Sequence, residues 1–233
     1  MYSQQRSQWR RALVDGAMHS APLNLAVIPW GFLAGSMAVD AGLTFWQSMA
    51  MSAIVFAGAA QLVTLGLLNS GAGYITIIIS VFFITSQHLL YGLTMRPHVK
   101  SFTTTERLSI GFLLTDELFA ISAAKRQALS FPYLFGAGFS FYLVWQITSL
   151  CGIIMANFVT DLSNLHLDFS VVATLLAIVV PLTKKISTAC GVAFSLIVAI
   201  VLSLYSISSA IVIAGVGGMC VSVVVSRLLK EEK

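Results

Sequence analysis

Ile75–Ile84 and Val171–Val180 are runs without a single charge, in which only the hydroxyls of Thr76, Ser80 and Thr174 interrupt the apolar side chains. No face of such a run can meet water, and no alternation with a period of two marks it as a strand of a membrane barrel. A helix satisfies its own backbone groups, so helices are what these runs can form inside a bilayer. The composition agrees: 58% of residues are hydrophobic and 9% charged, where a soluble globular chain carries about 25% charged residues. Too little polar surface is available to cover a water-facing fold. The chain reads as an all-α integral membrane protein, a polytopic transmembrane helical bundle built as a single domain over residues 1–233. Its room allows roughly seven or eight segments of about 20 residues each.

Apolar segments are predicted near Ala21–Val39, Phe45–Leu68, Tyr74–Met95, Leu108–Ala124, Tyr133–Ala156, Phe169–Leu182, Thr188–Tyr205 and Ile207–Leu228. The first twenty residues include Arg6, Arg10, Arg11 and Asp15 and lack the apolar stretch of a cleavable signal. All thirteen Lys and Arg lie outside the apolar cores: in the N-terminal tail, in Arg96–Arg107, at Lys125-Arg126, at Lys184-Lys185 and in the C-terminal tail. The net charge of +4 therefore reflects membrane topology and gives no reason to expect a nucleic-acid partner. The Asn157–Asp168 loop has acids and no Lys or Arg, which places it outside and both termini in the cytoplasm. Eight full crossings satisfy those assignments but leave Arg96, Lys100 and Arg107 outside. If Leu108–Ala124 dips into the membrane and returns, that basic loop moves inside, and one earlier segment must also fail to cross. Ala21–Val39 is a candidate, because Pro22, Pro29, Gly31 and Gly35 would break or kink it.

Polar residues within the apolar segments are expensive and mark function. The first cluster is Thr85–Gly92. On a helix Tyr91 lies beside both Gln87 and His88, and together they offer donors and acceptors for a zwitterion or a proton relay. An interfacial belt near a helix end is the structural alternative. The second cluster centres on Thr115, Asp116 and Glu117, the latter two being the only acids within any apolar segment. They suit ion or amine coordination; equally, Thr115-Asp116 can cap a half-helix, and helix breaks at membrane depth are where transporters place their sites. The third is Ser52–Thr64 around Gln61, where an interhelical hydrogen bond is the plain alternative. Asn24 and Gln146 are weaker versions. Phe56 and Phe119, next to these groups, would accept an aliphatic side chain.

Other chemistry finds no signature. G-x-S-x-G, H-E-x-x-H, a P-loop and the potassium-filter run are missing, and His88 is the lone histidine within an apolar segment, so neither a metal nor another cofactor is expected. Cys151, Cys190 and Cys220 have no close pairing and read as small buried hydrophobes. Small residues recur at every fourth position in Ser187–Ser203 and Ala210–Ser226, and Gly31 and Gly35 form a G-x-x-x-G. Each set lies on one helix face, for packing within the chain or against a second membrane protein.

Several of these runs, in order, resemble the AzlC/YgaZ family, the large subunit of branched-chain amino-acid exporters. They are Asp15-Gly16, Ile28-Pro29-Trp30-Gly31-Phe32 with Gly35, Ser52-x-x-Val55-Phe56-Ala57-Gly58-Ala59-Ala60-Gln61, Gln87–Gly92, and Thr115-Asp116-Glu117-x-Phe119-Ala120. The family's Asn-Leu-Arg-His run is replaced here by Thr85-Ser86-Gln87-His88, which removes a charge. The resemblance implies gradient-driven efflux of branched-chain amino acids across the inner membrane, with a small AzlD/YgaH-type membrane protein as hetero-oligomeric partner. A small-solute channel and a non-transporting accessory subunit stay open as alternatives. Gly31, Gly35 and Gly58 would receive a helix of the partner.

Overall fold

The computed structural model describes residues 2–124, 129–158, 183, 185–205, 207 and 210–231. Every regular element among them is an α-helix. The chain divides into two compact units, Met1–Leu65 with Ile84–Leu167, and Gly66–Phe83 with Asp168–Lys233. The expected Phe169–Leu182 segment and the Asn157–Asp168 loop lie outside the described residues. Among the described residues, four helices are long and apolar enough to cross a membrane: Arg6–Asp40, Tyr74–Val99, Phe131–Ala156 and Ile186–Leu204. Ile75, Ile78 and Phe82 point outward on the second of them, as lipid-facing side chains do.

Helix α1 (Tyr2–Asp40) and helix α8 (Phe131–Phe158) form the spine of the first unit. The expectation that Ala21–Val39 is broken is corrected: α1 runs unbroken through Pro22 and Pro29. It holds its course because α8 follows it closely. A methyl group at Gly16 would strike the Tyr133 carbonyl, one at Gly31 the Thr148 side chain, and one at Gly35 the Ser149 carbonyl. From the other side, Gly136 and Gly152 of α8 fit against the backbone of Leu13 and Phe32. Contacts advance together along both helices, so α1 and α8 are parallel. Ser20 and Ser140 share a hydrogen bond of 2.7 Å between them.

Two helix pairs pack on this spine, and each folds back on itself. In the first, α2 (Phe45–Val55) and α3 (Gly58–Asn69) are separated at Phe56. The Gln61 amide donates to Ser52 Oγ at 2.8 Å. Nine residues of continuous helix would separate them by about 13.5 Å along the axis, beyond the reach of both side chains, so the chain reverses at Phe56. In the second, α6 (Thr104–Leu113) and α7 (Asp116–Ala124) are separated at Leu114-Thr115. Phe102, just before α6, meets the ring of Phe131 at the start of α8. Leu113 and Leu118, on opposite arms, both press on Gly138. The α7 arm then leads back toward Phe131. Each pair opens with the same device, a capping box: Thr44 with Gln47, and Thr103 with Glu106.

Between the pairs, α4 (Tyr74–Thr85) and α5 (Gln87–Val99) are divided only at Ser86, which keeps right-handed helical dihedrals. In the second unit, α9 (Ile186–Leu204) and α10 (Ala210–Leu228) run antiparallel. Their small residues face each other: Gly191 against Gly218 and Ser222, and Ser195 Oγ on the Ala214 carbonyl at 2.9 Å. The stripes read in the sequence serve packing within the chain. A second correction concerns Cys151, Cys190 and Cys220, which are free but lie on outward faces of their helices; in lipid an apolar thiol has no reason to be interior.

Candidate functional site

Each of the three polar runs falls at a helix interruption. At the first, α2 stops because Phe56 adopts a left-handed conformation, φ 30° and ψ 47°, costing about 1–2 kcal/mol for a residue with a side chain. The stop strands carbonyls that no later turn of helix can reach. Helix α8 supplies the missing donors: Gln146 Nε2 donates to the Ser52 carbonyl at 2.9 Å, and the Tyr142 hydroxyl to the Ala53 carbonyl at 3.2 Å. Ser52 Oγ donates in turn to Ser149 Oγ at 3.1 Å. Gln61 is fully buried in this network, and Gly58 lets Trp145 close over the turn. Phe56 packs with Phe112, Phe141 and Tyr142. Gly31, Gly35 and Gly58, expected to receive a partner's helix, are occupied by α8 of the same chain. Spacing identifies a packing face but not what packs on it.

At Ser86 the regular bond to the Thr85 carbonyl is replaced: Leu89 N–H bonds Ser86 instead, and His88 Nδ1 lies 3.1 Å from the Thr85 carbonyl. A carbonyl only accepts, so Nδ1 carries the proton and Nε2 is left as the acceptor. At the third interruption Leu114 is extended and Thr115 caps α7, its Oγ1 accepting from Leu118 N–H at 3.4 Å. Helix α7 therefore begins at Asp116 and presents its positive end there.

The structure brings the second and third runs together. Gln87 Nε2 donates to both Asp116 carboxylate oxygens, at 3.1 and 3.4 Å. Tyr91 stacks on Phe119 with centroids 4.3 Å apart and planes within 15°, and His88 meets the edge of Tyr91 at 5.8 Å. Thr115 is buried, Glu117 half-buried and Asp116 exposed. The result is an accessible carboxylate with an amide and an imidazole on one side and a flat aromatic stack on the other. Such a group can hold an ammonium at Asp116 and shelter an aliphatic chain against the rings. Gln61 and Phe56 belong instead to the α2–α3 turn and α8. Sequence reasoning missed Tyr142 and Ser149 and undervalued Gln146; polar side chains at 142, 146 and 149 on one face of an apolar helix were the available signal.

Residues 22–159 match the AzlC protein family. That stretch spans more than half of the chain and every residue just described, and the chain belongs to this family. It is 28% identical over 144 residues to the inner membrane protein YgaZ of Escherichia coli, covering 60% of this chain and 59% of that one. An uncharacterized membrane protein of Archaeoglobus fulgidus is 26% identical over 178 residues, covering 72% and 75%. One from Helicobacter pylori is 25% identical over 154 residues, covering 64% and 67%. The match thus spans about three fifths of YgaZ. No solved structure matches the chain. With helices long enough to span a bilayer and this kinship, the chain is a multi-pass inner membrane protein.

Proposed function

We propose that this AzlC-family chain is the transporting subunit of an amino-acid exporter, moving branched-chain amino acids out of the cytoplasm. A gradient of protons or another ion drives alternating access, and a small AzlD/YgaH-type membrane protein completes the assembly. The observation that carries the reading is the Asp116 carboxylate at the start of α7, within an otherwise apolar stretch, bonded to Gln87 and flanked by the Tyr91–Phe119 stack. Uncompensated charge is costly at that depth, and binding of a cation offsets the cost. The ammonium of the substrate, or the coupling ion, meets Asp116 or Glu117. Gln87 and His88 supply the rest of the polar lining, and the stacked rings shelter the aliphatic side chain.

The helix geometry supports one topology. With Arg6, Arg10 and Arg11 in the cytoplasm, α1 ends outside. The α2–α3 pair dips in from outside and returns. The span Tyr74–Val99 brings the chain back, so Arg96, Lys100 and Arg107 lie inside. The α6–α7 pair dips in from the cytoplasm and α8 crosses outward; with α9 and α10 crossing once each, the expected Phe169–Leu182 segment must supply one more crossing for the C-terminus to lie inside. Efflux of labelled leucine from cells expressing the chain with its small partner tests the function. Asp116→Asn should reduce efflux at least tenfold while the protein still inserts. Normal efflux by that variant across pH 6 to 8 would remove Asp116 from the mechanism.

A further inference from the structure

The tips of the two folded-back pairs meet. Phe56 is the turning residue of the α2–α3 pair, and Phe112 lies two residues before the turn of the α6–α7 pair. Their ring centroids are 6.0 Å apart, and both touch Tyr142 of α8, at 4.9 and 5.6 Å. Phe56 is 5% exposed and Phe112 49%, so the contact is closed on the side of the first pair only. Two elements entering from opposite ends of α8 thus end on one aromatic plug. We propose that Phe56, Phe112 and Tyr142 form the permeation barrier, and that the two helix pairs are its two gates, one opening outward and one inward. The inference rests on the transporter reading.

Three features support gates over static packing. Both pairs start from the same capping box, at Thr44 and Thr103, and both turn ten to twelve residues later, as two copies of one device inserted in opposite senses would. The turn at Phe56 holds a left-handed conformation that a phenylalanine adopts only under constraint from its surroundings, so release of Tyr142 from the Ala53 carbonyl would let the turn relax. The Asp116 site begins one residue beyond the second turn, where movement of the α6–α7 pair would expose it to the cytoplasm. The Phe56–Phe112 ring contact suits this use, because parting two phenyl rings leaves no hydrogen-bonding group unpaired.

The test uses the full chain with its partner in a background lacking Cys151, Cys190 and Cys220, each changed to Ala. Phe56→Cys and Phe112→Cys are joined by a short cleavable bifunctional thiol reagent. Efflux of labelled leucine should fall more than tenfold on joining and recover on cleavage, while each single variant is unaffected by the reagent. Undiminished efflux after joining would overturn the proposal. A second arm needs no substrate: Ala57→Cys should be labelled by an impermeant thiol reagent only from outside, and Leu114→Cys only from the cytoplasmic side. Labelling of both from one side, or of neither, would overturn it. If the cysteine-free parent moves no leucine while the labelling is two-sided as expected, the assignment of branched-chain amino acids as substrate fails and the two gates stand.

Discussion

Gly35→Ala and Gly92→Ala add the same methyl group to two helices of the same unit, and the structure gives them opposite signs. At Gly35 the new β-carbon would meet the Ser149 carbonyl and the Ile153 amide nitrogen. Both are backbone atoms of α8, inside its helical hydrogen bonds, so neither can swing aside as a side chain would. The helices must part, and contacts at Gly31 and Gly152 loosen with them because the spine is continuous there. Overpacking of this kind costs about 1–3 kcal/mol, or roughly a 5- to 150-fold fall in the folded-to-unfolded ratio. At Gly92 nothing lies within 4 Å of the same position. There the methyl only restricts the unfolded chain and favours helix, a gain of roughly 0.5–1 kcal/mol. Thermal unfolding in mild detergent, followed by loss of the monodisperse peak, should place Gly35→Ala below the parent and Gly92→Ala at or above it. A Gly35→Ala protein as stable as the parent would refute the α1–α8 geometry. Loss of the small partner at unchanged stability would restore the reading of Gly35 as part of an external docking face.

Tyr142→Phe keeps the ring against Phe56 and Phe112 and removes only the bond to the Ala53 carbonyl; it should cost about 0.5–1.5 kcal/mol, and unchanged thermal unfolding would show that this hydroxyl does not hold the turn. Ser101→Cys, in the same cysteine-free background and within the basic stretch before α6, should be labelled by an impermeant reagent only when the cytoplasmic face is presented. Labelling in intact cells would mean that the α6–α7 pair crosses the membrane.

The break at Thr115-Asp116 was legible as a helix cap; those at Phe56 and Ser86 fall inside stretches read as the unbroken segments Phe45–Leu68 and Tyr74–Met95, where only the polar residues marked them. Pro, Gly and polar residues in an apolar run change local backbone cost, so Phe56–Gln61, Thr85–Gly92 and Thr115–Glu117 stood out. Whether a helix bends or reverses depends on bonds such as Gln61 to Ser52, between residues that local pattern does not pair. The same limit explains α1. Pro22 and Pro29 each remove one backbone bond, a local cost that argued for a break, and the glycine-lined fit to α8 outweighs it. It explains the pairing at the site as well: Gln87 and Asp116 are 29 residues apart, and each looked suitable for a ligand without any sign that they would find each other. His88 had two free ring nitrogens on paper. One of them is used by Thr85 next door, which leaves a single acceptor for any other task.

The two folded-back pairs are held to α8 by different forces, and the difference bears on which of them carries the chemistry. The α2–α3 turn is tied by Gln146, Tyr142 and the Ser52–Ser149 bond, directional contacts to groups that would be stranded in an apolar surrounding if they parted. The α6–α7 turn rests on Gly138 through Leu113 and Leu118 and on the rings around Phe112, contacts that slide at little cost because they have no preferred partner atom. Opening the second pair therefore demands less than opening the first. Asp116, Glu117 and Phe119 all ride on that second pair, whereas Gln87, His88 and Tyr91 belong to α5. Movement of α7 away from α5 would separate Asp116 from Gln87 and Phe119 from Tyr91 in a single step; on the proposed function, that removes the carboxylate and half of the aromatic shelter from the substrate together. On the proposed function, a site divided between two helices can thus release its ligand without either half being remade.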